Sequence, residues 1–235
     1  MALRLSTALV NFMAGEQVAY VASTISAALA DSSLNDSAEQ FVIQDFRPGM
    51  VIDIAGFTGT AANNQWAHVT SVTAAKMIVA VDVAFVNDAE GEEVTLTAEA
   101  QSLADILRYG VMCIYTGSQP ATADLAPTGT KLLLITIASG AFTLGTLTNG
   151  LDFDAPVAGV LGKKDADTWS GVGLASGTAG WFRFFTNLYD EAAGAVCFDG
   201  SVGTSGAQLN LSSTSIVLAA TTTIDEFEIT VPMTA

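Results

Sequence analysis

The chain has 235 residues, 24 acidic against 8 basic, and a formal charge of −16 at pH 7. Half of it is hydrophobic and 14% is charged, which is too apolar for a chain that stays disordered through low hydrophobicity. It lacks the uninterrupted apolar run of ~20 residues that a membrane-spanning helix needs. Its basic residues are scattered, so phosphate backbones would repel it and no nucleic-acid partner is expected.

Residues 1–38 are predicted to be helical. Leu5, Leu9, Phe12 and Met13 keep a helical apolar spacing, and Val18, Val21, Ile25 and Leu29 repeat it after Gly15. Asp31-Ser32-Ser33 ends the run with short polar side chains that compete for backbone hydrogen bonds. Such an N-terminal arm either docks on a partner or packs on its own domain, and packing is the commoner fate. Ala8-Leu9-Val10 is broken by Asn11, too soon for a secretory signal, so none is expected.

Residues 39–100 read as a small β module, a barrel or sandwich of four or five strands inserted in a larger domain. Met50, Ile52 and Ile54 alternate with Val51, Asp53 and Ala55; Gly56, Gly59 and Asn63-Asn64 supply turns. Met77, Val79, Val81, Val83 and Phe85 share one face of the clearest strand, and an acidic turn at 87–92 leads into Val94 and Leu96.

Residues 101–235 open with a short helix over 101–109, with Gly110 expected at the position just past its end. Strands are predicted at 111–115, 131–137, 141–144, 169–174, 180–185, 208–211, 215–218 and 223–231. The short turn-punctuated intervals indicate a β-sandwich or jelly roll. In the last strand Phe227, Ile229 and Val231 oppose Glu226, Glu228 and Thr230, giving one dry and one wet face. The fold class is therefore mainly β: a sandwich or jelly-roll-like C-terminal domain, an inserted β module and short N-terminal helices.

Residues with chemical potential are few. His68 is the sole histidine and no nucleophile is visible beside it, so a structural role is expected. One His with Cys113 and Cys197 far apart does not give a zinc spacing. The two cysteines sit in apolar runs and are expected as buried free thiols, with a disulfide between them left open. Asp88, Glu90, Glu92 and Glu93 lack the regular spacing of a calcium loop and read as a solvated turn. Asp165 and Asp167 lie beside Lys163 and Lys164 in a mixed-charge loop. The glycines of 171–177 and 200–206 precede strands rather than helices, which argues against phosphate loops and for β-turns. No catalytic, cofactor or metal residue is assigned, no cofactor is expected, and the chain is expected not to be an enzyme. Trp181, Arg183 and Phe185 share one strand face and form the candidate interface, since Trp and Arg are enriched at binding hot spots; a core strand with its guanidinium over an aromatic ring is the commoner outcome.

Ile114-Tyr115-Thr116-Gly117-Ser118-Gln119-Pro120-Ala121, with Ala123-Asp124 and Pro127-Thr128-Gly129-Thr130, resembles a family of tailed-bacteriophage virion proteins. So do Ala175-Ser176-Gly177-Thr178-Ala179-Gly180-Trp181-Phe182-Arg183-Phe184 and Asp199-Gly200-Ser201-Val202-Gly203-Thr204-Ser205-Gly206, followed by Leu209-Asn210-Leu211-Ser212. The likeness covers most of residues 103–235, and Leu3-Arg4-Leu5-Ser6-Thr7-Ala8-Leu9 is similar to the family's start. In the family that start runs almost directly into the Tyr-x-Gly-x-Gln-Pro segment, whereas here a β module intervenes.

The resemblance implies a structural protein of the virion, made in the bacterial host's cytoplasm. The first expectation is a capsid decoration or cement protein that stabilises the shell. Its partners would be copies of itself, as a trimer or dimer, and the major capsid protein or other virion proteins, with no nucleic acid and no membrane. A tail, neck or fibre-base component is the alternative. A carbohydrate-binding adhesion module is a weaker one, with Trp66, Trp169 and Trp181 as stacking residues. A virion-associated hydrolase would need a catalytic constellation that the sequence does not display.

Overall fold

Alternation of apolar and polar side chains recurs in several segments of the chain, and that period is satisfied by strands with one face buried. The computed structural model describes residues 3–189 and 191–230 and is mainly β, with antiparallel sheets and two short α-helices. Two compact units are present. The first comprises Met1–Ala14, Ile106–Thr143 and Thr148–Ala235; the second comprises Gly15–Asp105 and Leu144–Leu147.

The chain begins in the first unit with β1 (Arg4–Leu5) and α1 (Thr7–Met13). Ser6 caps α1, its hydroxyl accepting from the Leu9 N–H at 3.2 Å and from the Cys197 N–H at 3.1 Å. The second unit follows as β2 (Ala19–Ala22), β3 (Ile25–Ala28), β4 (Ser33–Asp36), β5 (Val51–Ala55), β6 (Trp66–Val72), β7 (Lys76–Val81) and β8 (Val94–Ala98). After α2 (Leu103–Leu107) the first unit resumes with β9 (Val111–Thr116), β10 (Lys131–Ile137), β11 (Val160–Gly162), β12 (Trp169–Val172) and β13 (Gly177–Phe185). It closes with β14 (Cys197–Gly203), β15 (Leu209–Asn210), β16 (Ser215–Ile216), β17 (Thr221–Ile224) and β18 (Glu228–Thr230).

The second unit is a seven-stranded sheet in the order β2-β8-β5-β6-β7-β4-β3. Met50, Ile52, Ile54, Val69, Met77, Val79, Val94 and Leu96 all point to its buried side, as alternation predicts. Phe41 packs edge-on against Tyr20 and Phe46 in the same core. The helical expectation for residues 1–38 holds at α1 alone. Residues 19–36 are three strands, because β2 pairs with β8 while β3 and β4 pair with each other and with β7. The spacing of Val21, Ile25 and Leu29 is misleading, since Ile25 is buried while Val21 and Leu29 are exposed. Tertiary pairing overrides a weak helical pattern in this Ala-rich stretch. The long strand expected through Phe85 stops at Val81. There the Gln65 side chain takes the place of a strand partner, donating to the Val83 carbonyl at 2.7 Å and accepting from the Val83 N–H at 3.1 Å.

Asp36 holds one end of this sheet together. Its carboxylate accepts from Thr24 Oγ1 at 2.5 Å, Tyr20 OH at 3.1 Å and the backbone N–H groups of Ala38 and Gln40 at 3.1 and 2.9 Å. Burial works to raise its pKa, but these donors outweigh it and hold the carboxyl below its ordinary value. A depressed carboxylate contributes stability that is complete above its unfolded pKa of ~4 and is lost as pH falls through the lower folded value. Urea midpoints measured between about pH 5 and pH 2 are therefore expected to fall less steeply in Asp36→Asn than in the parent.

The first unit contains a sheet in the order β1-β14-β13-β9-β10-β12-β17, with β15 on β14 and β16 on β13, and a separate β11–β18 pair. One face of this sheet carries an aromatic core. Phe184 stacks on Phe198 at 5.3 Å, and Phe153, Trp169, Phe182 and Phe227 close around them. Gly200 lies inside β14 opposite Phe182, where a Cβ would come within 2.4 Å of that ring. It is therefore a packing glycine in a strand, where a turn was expected. α2 ends differently from the expectation too: Tyr109 takes the left-handed conformation at φ 60°, and Gly110 is needed because a Cβ there would meet the Phe185 carbonyl at 2.2 Å. The strand expected at 141–144 does not form. Gly145 instead accepts from the Val72 N–H at 2.7 Å within the second unit. The stretch 223–231 divides into β17 and β18, with Phe227 and Ile229 buried and Glu228 exposed; Val231 lies outside the described residues.

Candidate functional site

Strands β9, β13 and β14 are neighbours, and each holds part of one of the three motif segments at 114–121, 175–184 and 199–206. On their second face, opposite the aromatic core, Arg183 is flanked by Cys113 on β9 and Asp199 on β14. Trp181, Arg183 and Phe185, the candidate interface, are all fully buried here, which corrects that expectation. The physical reason is a layer of loops over this face. Leu125 offers its carbonyl to Arg183 Nη1 at 2.8 Å, Ala123 accepts from Cys197 Sγ at 3.4 Å, and Asp124 receives the Thr7 and Gly194 N–H groups.

Arg183 forms a bidentate pair with Asp199, Nε to Oδ1 at 2.5 Å and Nη2 to Oδ2 at 2.8 Å. Its guanidinium carbon also lies 5.6 Å from the Trp181 ring centroid and 5.7 Å from that of Phe185. Burial pushes the Asp199 carboxyl up against the pull of Arg183 and Arg4. Arg183 withstands the lowering that burial imposes and ends above its ordinary value through its bond to Asp199. The pair is a charged rivet between two central strands.

Beside it, Tyr115 OH donates to Glu191 Oε1 at 2.6 Å, and Lys131 Nζ donates to Tyr189 OH at 2.7 Å and to Glu191 Oε1 at 3.1 Å. Cys113 and Cys197 are buried free thiols. Burial raises them to about 11 and about 12, opposite to the direction that activates a nucleophile. The Glu92 carboxylate of the acidic turn accepts from Thr58 and Gly59 and so braces the neighbouring turn. Glu90 accepts from Ser37 Oγ at 2.6 Å. Among the described residues no group of three or more His, Cys, Asp or Glu is placed to hold a metal ion. No helix among them is long and apolar enough to cross a membrane.

An open depression of about 350 Å³ in the first unit is rimmed by Asp154, Asp165, Asp225, Glu226 and Glu228 with Lys163, and holds no Ser, Cys or His among its described lining residues. Two exposed features stand out more. In the first unit, Val172, Leu174, Val217 and Leu218 are each 44–58% exposed. They lie on adjoining segments, since Gly173 exchanges backbone bonds with Ala219 and Ala220, and Leu218 N–H donates to Ser176 Oγ. β17, at the end of the sheet next to this patch, pairs with β12 on one side. In the second unit Trp66 is 54% exposed on β6, whereas Trp169 and Trp181 are fully buried and out of reach of a ligand. His68 is exposed on the same face of β6 as Trp66. Strand parity signalled this, because Ala67 and Val69 between and after them are core residues. Comparison with protein-family models, curated proteins and solved structures gives no match in any of the three.

Proposed function

We propose that the chain is a non-enzymatic structural protein of a bacteriophage particle, a capsid decoration or cement protein that assembles with copies of itself through the β17 edge of its first unit. The observation that carries this is the chemistry of that edge. Residues 168–182 and 200–224 hold no charged side chain, in a chain with 24 acidic residues. The exposed Val172, Leu174, Val217 and Leu218 and the threonines Thr221, Thr222 and Thr223 all come from these two segments. Edge strands of monomeric proteins are usually guarded by charges or proline, and this one is not. Two strongly acidic copies repel one another over most of their surface, so a neutral apolar edge is where they can meet.

The resemblance of the segments on β9, β13 and β14 to tailed-phage virion proteins supports the particle setting, and their assembly into adjacent strands supports reading them as parts of one domain. The residues that separate them from the family-like start fold as a unit of their own. The high thiol pKa values and the use of buried charge to rivet strands favour a scaffold over a hydrolase. Sedimentation velocity at micromolar concentration is expected to show a closed dimer or trimer, and Val172→Asp with Leu218→Asp is expected to yield a folded monomer. A monomeric parent chain would overturn this, as would turnover of peptidoglycan or polysaccharide that a single carboxylate substitution abolishes.

A further inference from the structure

We propose that the outer face of the second unit carries a binding site for a neutral oligosaccharide, with Trp66 as the stacking platform and Asp53 as the main hydrogen-bond acceptor. This goes beyond the assembly role and uses a different unit of the chain. Pairing register sets Ala19, Thr97, Asp53 and Trp66 in one row across β2, β8, β5 and β6. All four point away from the buried face, which takes Ile52, Ile54, Leu96 and Ala98 instead. Strands lie ~4.8 Å apart, so Asp53 sits on the order of 5 Å and Thr97 on the order of 10 Å from Trp66 along the row. Trp66, Asp53 and Thr97, with Gln17 and Glu99, line an open depression of about 510 Å³, within the ~300–1,000 Å³ range of small-ligand sites.

The hydrogen-bonding capacity of this row is unspent. Among the described residues, no side-chain hydrogen bond or ion pair engages Asp53, Thr97, Gln17 or Glu99, although Asp53 and Thr97 are half-buried. A half-buried carboxylate beside an exposed indole is matched to a pyranose. The sugar's C–H face lies on the ring, and neighbouring hydroxyls donate to the two carboxylate oxygens. Asp53 and Glu99 repel anionic ligands. A quaternary ammonium is better held by a cage of several aromatic faces, and Trp66 is the aromatic residue that lines this depression. Ala19, small and exposed, leaves the far end of the row low enough for a second sugar unit.

The test is a fluorescence and calorimetric titration of the full chain with the hexasaccharides of β-glucose, α-glucose, N-acetylglucosamine and mannose, with choline as a further probe. At least one hexasaccharide is expected to bind saturably and shift the emission of the exposed Trp66. Trp66→Ala is expected to weaken that binding by roughly tenfold or more and Asp53→Asn by roughly fivefold, with Trp66→Phe retaining part of it and the circular dichroism unchanged throughout. The proposal is overturned if none of the four binds up to millimolar concentration, if binding survives Trp66→Ala undiminished, or if choline binds and the sugars do not. None of these outcomes bears on assembly through β17, which the sedimentation measurement decides separately.

Discussion

Replacing Asp199 by Ala is expected to cost the first unit about 3–5 kcal/mol, the usual penalty for leaving one member of a buried ion pair unpaired. Arg183 is fully buried and spends two of its nitrogens on Asp199 and a third on the Leu125 carbonyl. Without the carboxylate, the guanidinium keeps its desolvation cost and is left with one carbonyl and two ring faces. Urea unfolding followed through Trp169 and Trp181, both buried in this unit, reads the loss directly. Removing both charges together, as Arg183→Met with Asp199→Leu, is expected to recover most of it, because an apolar pair of similar volume avoids the desolvation cost. A loss below about 1 kcal/mol in Asp199→Ala would mean that water reaches the guanidinium and that the rivet is not dry.

Phe184→Ala is expected to cost a further ~3–5 kcal/mol, from the other face of the same strand. Phe184 stacks on Phe198 with 7° between ring planes and lies 5.5 Å from Phe153 and 6.2 Å from Trp169. Its neighbours are held by the sheet and by one another, so the cavity left by the ring cannot collapse freely. Phe184→Leu, which restores much of the volume, is expected to lose less than half as much. Equal losses for the two variants would show that the site tolerates no reshaping at all.

Strand positions were legible where branched and long apolar residues dominate the segment. β10 covers the predicted residues 131–137, and Ile52, Ile54, Val94 and Leu96 are buried as alternation requires. At β13 the position was legible but the covering of its second face was not. β13 packs Phe182 and Phe184 on one side and Trp181, Arg183 and Phe185 on the other, so parity separated the two groups without showing that loops bury the second. Asp199 as the partner of Arg183 depends on register across two strands, which no local pattern encodes. The three strands in residues 19–36 were missed because Ala-rich four-residue strands carry little β signal and owe their conformation to pairing. Trp66 was named with Trp169 and Trp181 as a stacking residue, and its exposure was within reach: it alternates with Ala67 and Val69, and a small or branched core residue beside a Trp of opposite parity places that Trp outside. The neutral edge was equally visible as uncharged sequence, but its position at the end of the sheet was not.

The proposed assembly edge and the proposed sugar site lie on separate units, and each is tested separately from the particle role. Quantitative mass spectrometry of washed particles, purified from a culture whose phage encodes this chain, tests the structural role most directly. The chain is expected to remain with the particle at a fixed ratio to the major shell protein, at copies on the order of hundreds where it decorates the shell. A ratio giving only tens of copies would move it to the tail or neck, and absence from washed particles would contradict a structural role.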